Sequence, residues 1–103
     1  MISQEEVEEI VNNSEEVRKA DETFRKLYKQ LQKSEDNVYD LKYRMEKIQG
    51  KIDGTKYKTL MTMIDDEMRW LTDFPKVACE EYQARRRALR RRCWPVLIRN
   101  FSF

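Results

Sequence analysis

Reading every seventh residue from Ile10 gives Ile10, Val17, Phe24, Leu31, Val38, Met45 and Ile52, an apolar column that runs unbroken through seven repeats. The positions three residues further on are Asn13, Ala20, Leu27, Ser34, Leu41, Ile48 and Thr55. These are polar at both ends and mostly apolar between, with Ser34 the exception. Two columns offset by three and four residues form one stripe on an α-helix, and a strict seven-residue period winds that stripe into a left-handed supercoil. The pattern predicts a helix over about residues 3–52, opened by Ser3 with Glu6 as a capping box. Such a helix is roughly 70–75 Å long and cannot bury its stripe within itself. Its expected partner seam is Ile10, Val17, Phe24, Leu27, Leu31, Val38, Leu41, Met45, Ile48 and Ile52.

The flanking positions argue against parallel self-pairing. A parallel homodimer would set Glu9 against Ser14, Glu16 against Asp21, Gln30 against Glu35, Asn37 against Lys42 and Arg44 against Gln49, with no attractive ion pair among them. Asp53-Gly54 offers a reversal instead, with the glycine taking a left-handed C-cap. A second apolar stripe then follows through Tyr57, Leu60 or Met61, Ile64, Met68 and Leu71, predicting a helix over about 55–73. Asp73 and Pro75 read as the cap and first turn of a third helix over about 75–92. With the turn at 53–54, residue i faces about 107 minus i, and the arginines at 90–92 are expected beside residues 15–17.

That register also accounts for an uneven charge distribution. The formal net charge is only +2. Yet six acidic residues and no basic one lie between Met1 and Glu16, while eight basic residues stand against Glu80 and Glu81 from Lys76 onward. The run Arg85-Arg86-Arg87-Ala88-Leu89-Arg90-Arg91-Arg92 places Arg86, Arg87, Arg90 and Arg91 on one helix face. Such a face is a candidate phosphate-binding site or a nuclear signal, or it is neutralised by the acidic N-terminal turns.

The last eleven residues change character. Pro95 is expected to end the helix, leaving an apolar, β-prone tail over 93–103 anchored by Trp94, Leu97, Phe101 and Phe103. The tail packs back on the hairpin or on a subunit, or it serves as a linear motif. Trp94 to Leu97 has a Trp-x-x-Leu spacing, and Phe101-Ser102-Phe103 has an ending that a sheet edge can accept.

Several classes are excluded by residue content. Two glycines and two prolines leave too few turns for an all-β fold, and there is no glycine-rich phosphate loop. No histidine is present, and Cys79 and Cys93 are fourteen residues apart, so neither a metal nor a cofactor is expected. Asp65-Asp66 and Glu80-Glu81 point about 100° apart on a helix and form no acid–base dyad. No apolar run reaches about 18 residues and no signal-like segment opens the chain, so no transmembrane segment is expected and the location is cytoplasmic or nuclear.

Fragments resemble three families. Leu27-Tyr28, Leu31, Glu35 and Tyr39-Asp40-Leu41 look like troponin coiled-coil segments. Glu35-Asp36 with Tyr39-Asp40-Leu41-Lys42 is similar to tubulin-binding cofactor A, and Tyr82, Arg86-Arg87, Leu89 and Trp94 through Asn100 are similar to the dimerisation helix of nucleosome-assembly proteins. Each ends within a fragment, so the chain is assigned to none of them. The expectation is one all-α domain over 1–103, a long antiparallel helical hairpin or coiled coil with a third short segment and an apolar tail. Its expected role is that of a non-enzymatic structural or adaptor subunit binding protein partners, possibly itself. Nucleic-acid association through the arginine face is the alternative.

Overall fold

A computed structural model describes residues 3–100, with the backbone alone over residues 5–13. Three α-helices, α1 (Gln4–Lys47), α2 (Gly54–Thr72) and α3 (Cys79–Asn100), are joined with one 3₁₀ turn at Gln49–Lys51, and no strand occurs among the described residues. The all-α helical hairpin expected from the heptads is what the structure shows. α2 folds back antiparallel on α1 in the expected register, with Lys42 Nζ 3.3 Å from Asp65 Oδ1.

The reversal is built differently from the sequence expectation. Ile48 N–H donates to the Met45 carbonyl and Lys51 N–H to that of Ile48, so the chain turns over residues 48–53. Asp53 then caps α2, its carboxylate accepting from the Lys56 N–H at 3.2 Å. No glycine has positive φ, so Gly54 opens α2 and supplies no left-handed cap.

The heptad stripe is buried only along part of its length. Leu31, Ser34, Val38, Leu41, Met45 and Ile48 are buried, at alternating spacings of four and three that keep one face inward. Val17 and Phe24 are 67% and 51% exposed, which corrects their assignment to a buried seam. The reason is length. At the helical rise α1 is about 66 Å long, while α2 and α3 are about 28 and 33 Å, so roughly half of α1 has no helix beside it.

α3 also departs from expectation. It begins at Cys79 and not at Pro75, because Phe74 takes a left-handed backbone (φ 47°) that breaks the helical path. The Tyr82 hydroxyl then pins the connection by donating to the Pro75 carbonyl at 2.6 Å. From there α3 runs parallel to α1. Arg86 meets Gln30 and Ser34, Trp94 meets Arg44, and the Asn100 carbonyl accepts from Lys51 Nζ at 3.3 Å. The arginines therefore lie beside the middle of α1 and not beside residues 15–17, and the charge asymmetry is not resolved by an N-to-C pairing.

Pro95 lies inside α3, so the expected tail is helical through Asn100. A helix-interior proline costs about 3 kcal/mol. Burial of Cys93, Val96 and Leu97 on the same turns offsets this, since each large apolar side chain contributes roughly 1.5–3 kcal/mol. The helical state keeps those three on the core face.

Two polar contacts set the approach of α3. Arg86 donates to Ser34 Oγ at 3.0 Å and to Gln30 Oε1 at 2.8 Å, which explains the polar break in the heptad. Burial, then the neighbouring charges of Arg87 and Arg90, lowers the pKa of Arg86. On the other side Arg85 donates twice to Glu67, at 2.8 and 3.0 Å, with its guanidinium 3.8 Å from the Trp70 ring centroid.

Three outcomes follow from this packing. Leu41→Ala or Met45→Ala should lower unfolding free energy by about 2–5 kcal/mol in urea titrations, whereas Val17→Ala should change it by less than about 0.5 kcal/mol. Ser34→Ala should destabilise by about 1 kcal/mol, and much less in an Arg86→Met background where no donor is left unpaired. Burial, opposed by Arg92, pushes the Cys93 thiol up from 9.0 to about 11. Its neutral form is thus favoured by folding, so the contribution is complete below pH 9 and is lost as pH rises towards 11. Urea midpoints should fall over that window, and less steeply in Cys93→Ala, while thiol reagents should label half-buried Cys79 well before Cys93.

Candidate interaction surfaces

The projecting half of α1 is the first surface. From Ser14 to Lys26 every residue is exposed. Acidic Glu15, Glu16, Asp21 and Glu22 alternate with basic Arg18, Lys19, Arg25 and Lys26, so this stretch is close to neutral. The heptad column nonetheless continues along it through Val17 and Phe24. At its root Phe24 and Tyr28 stack on one another and meet Phe74, with centroids 5.5 and 5.9 Å from the Phe74 ring. Lys76 Nζ sits 3.1 Å from the Phe74 ring centroid. Of the other seam residues, Leu27 and Ile52 are half-buried against the core, and the side chain of Ile10 lies outside the described residues.

The arginine run divides into two groups. Arg85 and Arg86 are engaged between helices, as described above. Arg87, Arg90, Arg91 and Arg92 are exposed and make no ion pair or side-chain hydrogen bond among the described residues. The expected four-arginine face is therefore a three-arginine face, because Arg86 turns inward to Ser34. A periodicity argument could not separate them, since helical angle alone does not report which neighbouring helix holds an acceptor.

The tail anchors also divide. Leu97 is buried in the core and Trp94 is 39% exposed, with Arg44 Cζ 5.5 Å from its ring centroid; Phe101 and Phe103 lie outside the described residues. Because Leu97 points inward from a continuous helix, Trp94 to Leu97 is not an extended linear motif. The Glu67–Arg85–Trp70 clasp was not foreseen, and only the Glu67-to-Trp70 spacing on one helix hints at it.

A shallow cleft of about 270 Å³ lies between α1 and α2, lined by Glu35, Val38, Tyr39, Met68, Leu71 and Thr72. It offers one carboxylate on an apolar floor and no convergent set of polar groups of the kind small-ligand sites need. No cluster of three or more metal-ligating side chains occurs among the described residues, and no described helix is long and apolar enough to cross a membrane.

No solved structure matches this chain. The family model for Hsp70 protein matches residues 1–100, nearly the full length. None of the three fragmentary resemblances pointed there. The match overturns the expectation of a coiled-coil adaptor or structural subunit, and with it the nucleic-acid alternative, because it ties the hairpin to a chaperone family. The chain belongs to the Hsp70 family.

Proposed function

We propose that this chain contributes to chaperone action by contacting polypeptide through the projecting half of α1. The observation that carries this reading is the apolar column continuing through Val17 and Phe24 onto a helix arm that neither α2 nor α3 covers. Membership of a chaperone family gives that uncovered stripe a purpose. The interspersed charges keep the arm compatible with water and let it release what it holds. ATP turnover is associated with the family, but no phosphate-binding loop is legible around Gly50 and Gly54, so nucleotide chemistry is not assigned to these residues. A cytosolic site of action accompanies this reading.

Removing the Val17 side chain should weaken contact without unfolding the core, since Val17 is 67% exposed and lies outside the aromatic cluster that Phe24 forms with Phe74. Fluorescence anisotropy with a labelled, permanently unfolded polypeptide should show Val17→Asp binding at least about tenfold more weakly, the loss expected when one buried apolar contact is replaced by a charge. Leu41→Val on the core face should leave affinity nearly unchanged. Equal affinity of Val17→Asp and the unaltered chain would remove the arm from this role.

A further inference from the structure

The outward face of α3 carries a second surface that the chaperone reading does not use. Arg87, Arg91, Trp94 and Ile98 follow one another at intervals of four, three and four residues, with Arg90 and Pro95 on the flanks. All six are exposed, with Ile98 at 51%. The five from Arg87 to Pro95 share one open concavity of about 420 Å³. The stripe is graded along the helix, basic in its first half and apolar in its second.

We infer that this face docks on the surface of an anionic phospholipid bilayer. Three guanidinium groups without carboxylate partners among the described residues supply the charge complement, and a guanidinium matches a phosphate oxygen pair with two parallel hydrogen bonds. The apolar half fits the same partner. Tryptophan is favoured at the boundary between headgroups and acyl chains, and exposed Ile98 one turn further on gains from leaving water there. Arg44, itself paired with Asp40 at 3.0 Å, lies over the Trp94 ring and holds the indole beside the basic patch. An acidic polypeptide or a duplex would answer the arginines but gives Ile98 no apolar destination. No described helix is long and apolar enough to cross a bilayer, so the contact lies along the surface.

The test is co-sedimentation of the full chain with vesicles of phosphatidylcholine alone and of equal parts phosphatidylcholine and phosphatidylserine. The chain should pellet with the mixed vesicles only, and less so as salt is raised. Arg87→Gln/Arg90→Gln/Arg91→Gln should weaken partitioning by roughly 100-fold, the combined effect expected of three surface-bound cations. These side chains have no ion pair or side-chain hydrogen bond among the described residues, so circular dichroism melting should be unchanged. Ile98→Ser should weaken partitioning, and mixed vesicles should blue-shift tryptophan emission in the unaltered chain but not in Trp94→Phe. Failure to pellet with mixed vesicles overturns the inference, as does undiminished partitioning of the triple variant. Tighter retention by polyglutamate or duplex DNA than by the vesicles would equally assign the face to another class of partner.

Discussion

One stripe on α1, from Leu27 to Ile48, is the surface on which both other helices rest. α2 and α3 approach it from two sides, and their direct contact with each other is narrower, centred on Glu67, Arg85 and Trp70. An isolated 19-residue helix such as α2 is marginal in water, and α3 adds the mutual repulsion of six closely spaced arginines. Both become stable through what Val38, Leu41, Met45 and Ile48 bury beneath them. The order of dependence is therefore set: α1 organises the bundle, and the bundle does not organise the far half of α1.

Charge has different work in each part of the arginine run. Arg85 is neutralised by a carboxylate and stacked on an indole, and Arg86 is held by neutral oxygens on α1, so these two fix how α3 lies. Burial beside two further arginines is unfavourable for Arg86, as its lowered pKa shows, and its hydrogen bonds to Gln30 and Ser34 answer the cost. The remaining exposed members leave the outer face basic. Helix placement and surface character are thus encoded in one octapeptide.

The parts of this fold that were legible in the sequence are those set by residues near one another in the chain. Spacings of three and four residues identify the stripe on α1 and the one on α2, and the single turn between them fixes their register. The direction of α3 was not legible, because it depends on the left-handed backbone of Phe74 and on the Tyr82 hydroxyl reaching Pro75. Pro95 misled for a related reason: its local cost is visible in sequence, whereas burial of Val96 and Leu97 exists only after α3 has docked. Nor could the heptads say where their cover ends, since α1 advertises the same stripe through Phe24 as through Val38. Family membership was equally hidden, because heptads are common to many unrelated helical proteins and the family match extends over residues 1–100.

Phe74 links the arm to the connection between α2 and α3. A bulky residue at positive φ costs of order 1–3 kcal/mol, and it is kept there by its rings' contact with Phe24 and Tyr28 and by Lys76 above it. A guest seated on the arm near Phe24, as proposed above, would compete for one of the contacts that hold this unfavourable backbone in place. On the proposed role of the arm, occupancy and loop geometry are thermodynamically linked: a guest that takes Phe24 away shifts the equilibrium of residues 73–78 towards a relaxed backbone, and a loop that relaxes leaves Phe24 more available to the guest. The same aromatic cluster that closes one end of the bundle makes that end responsive.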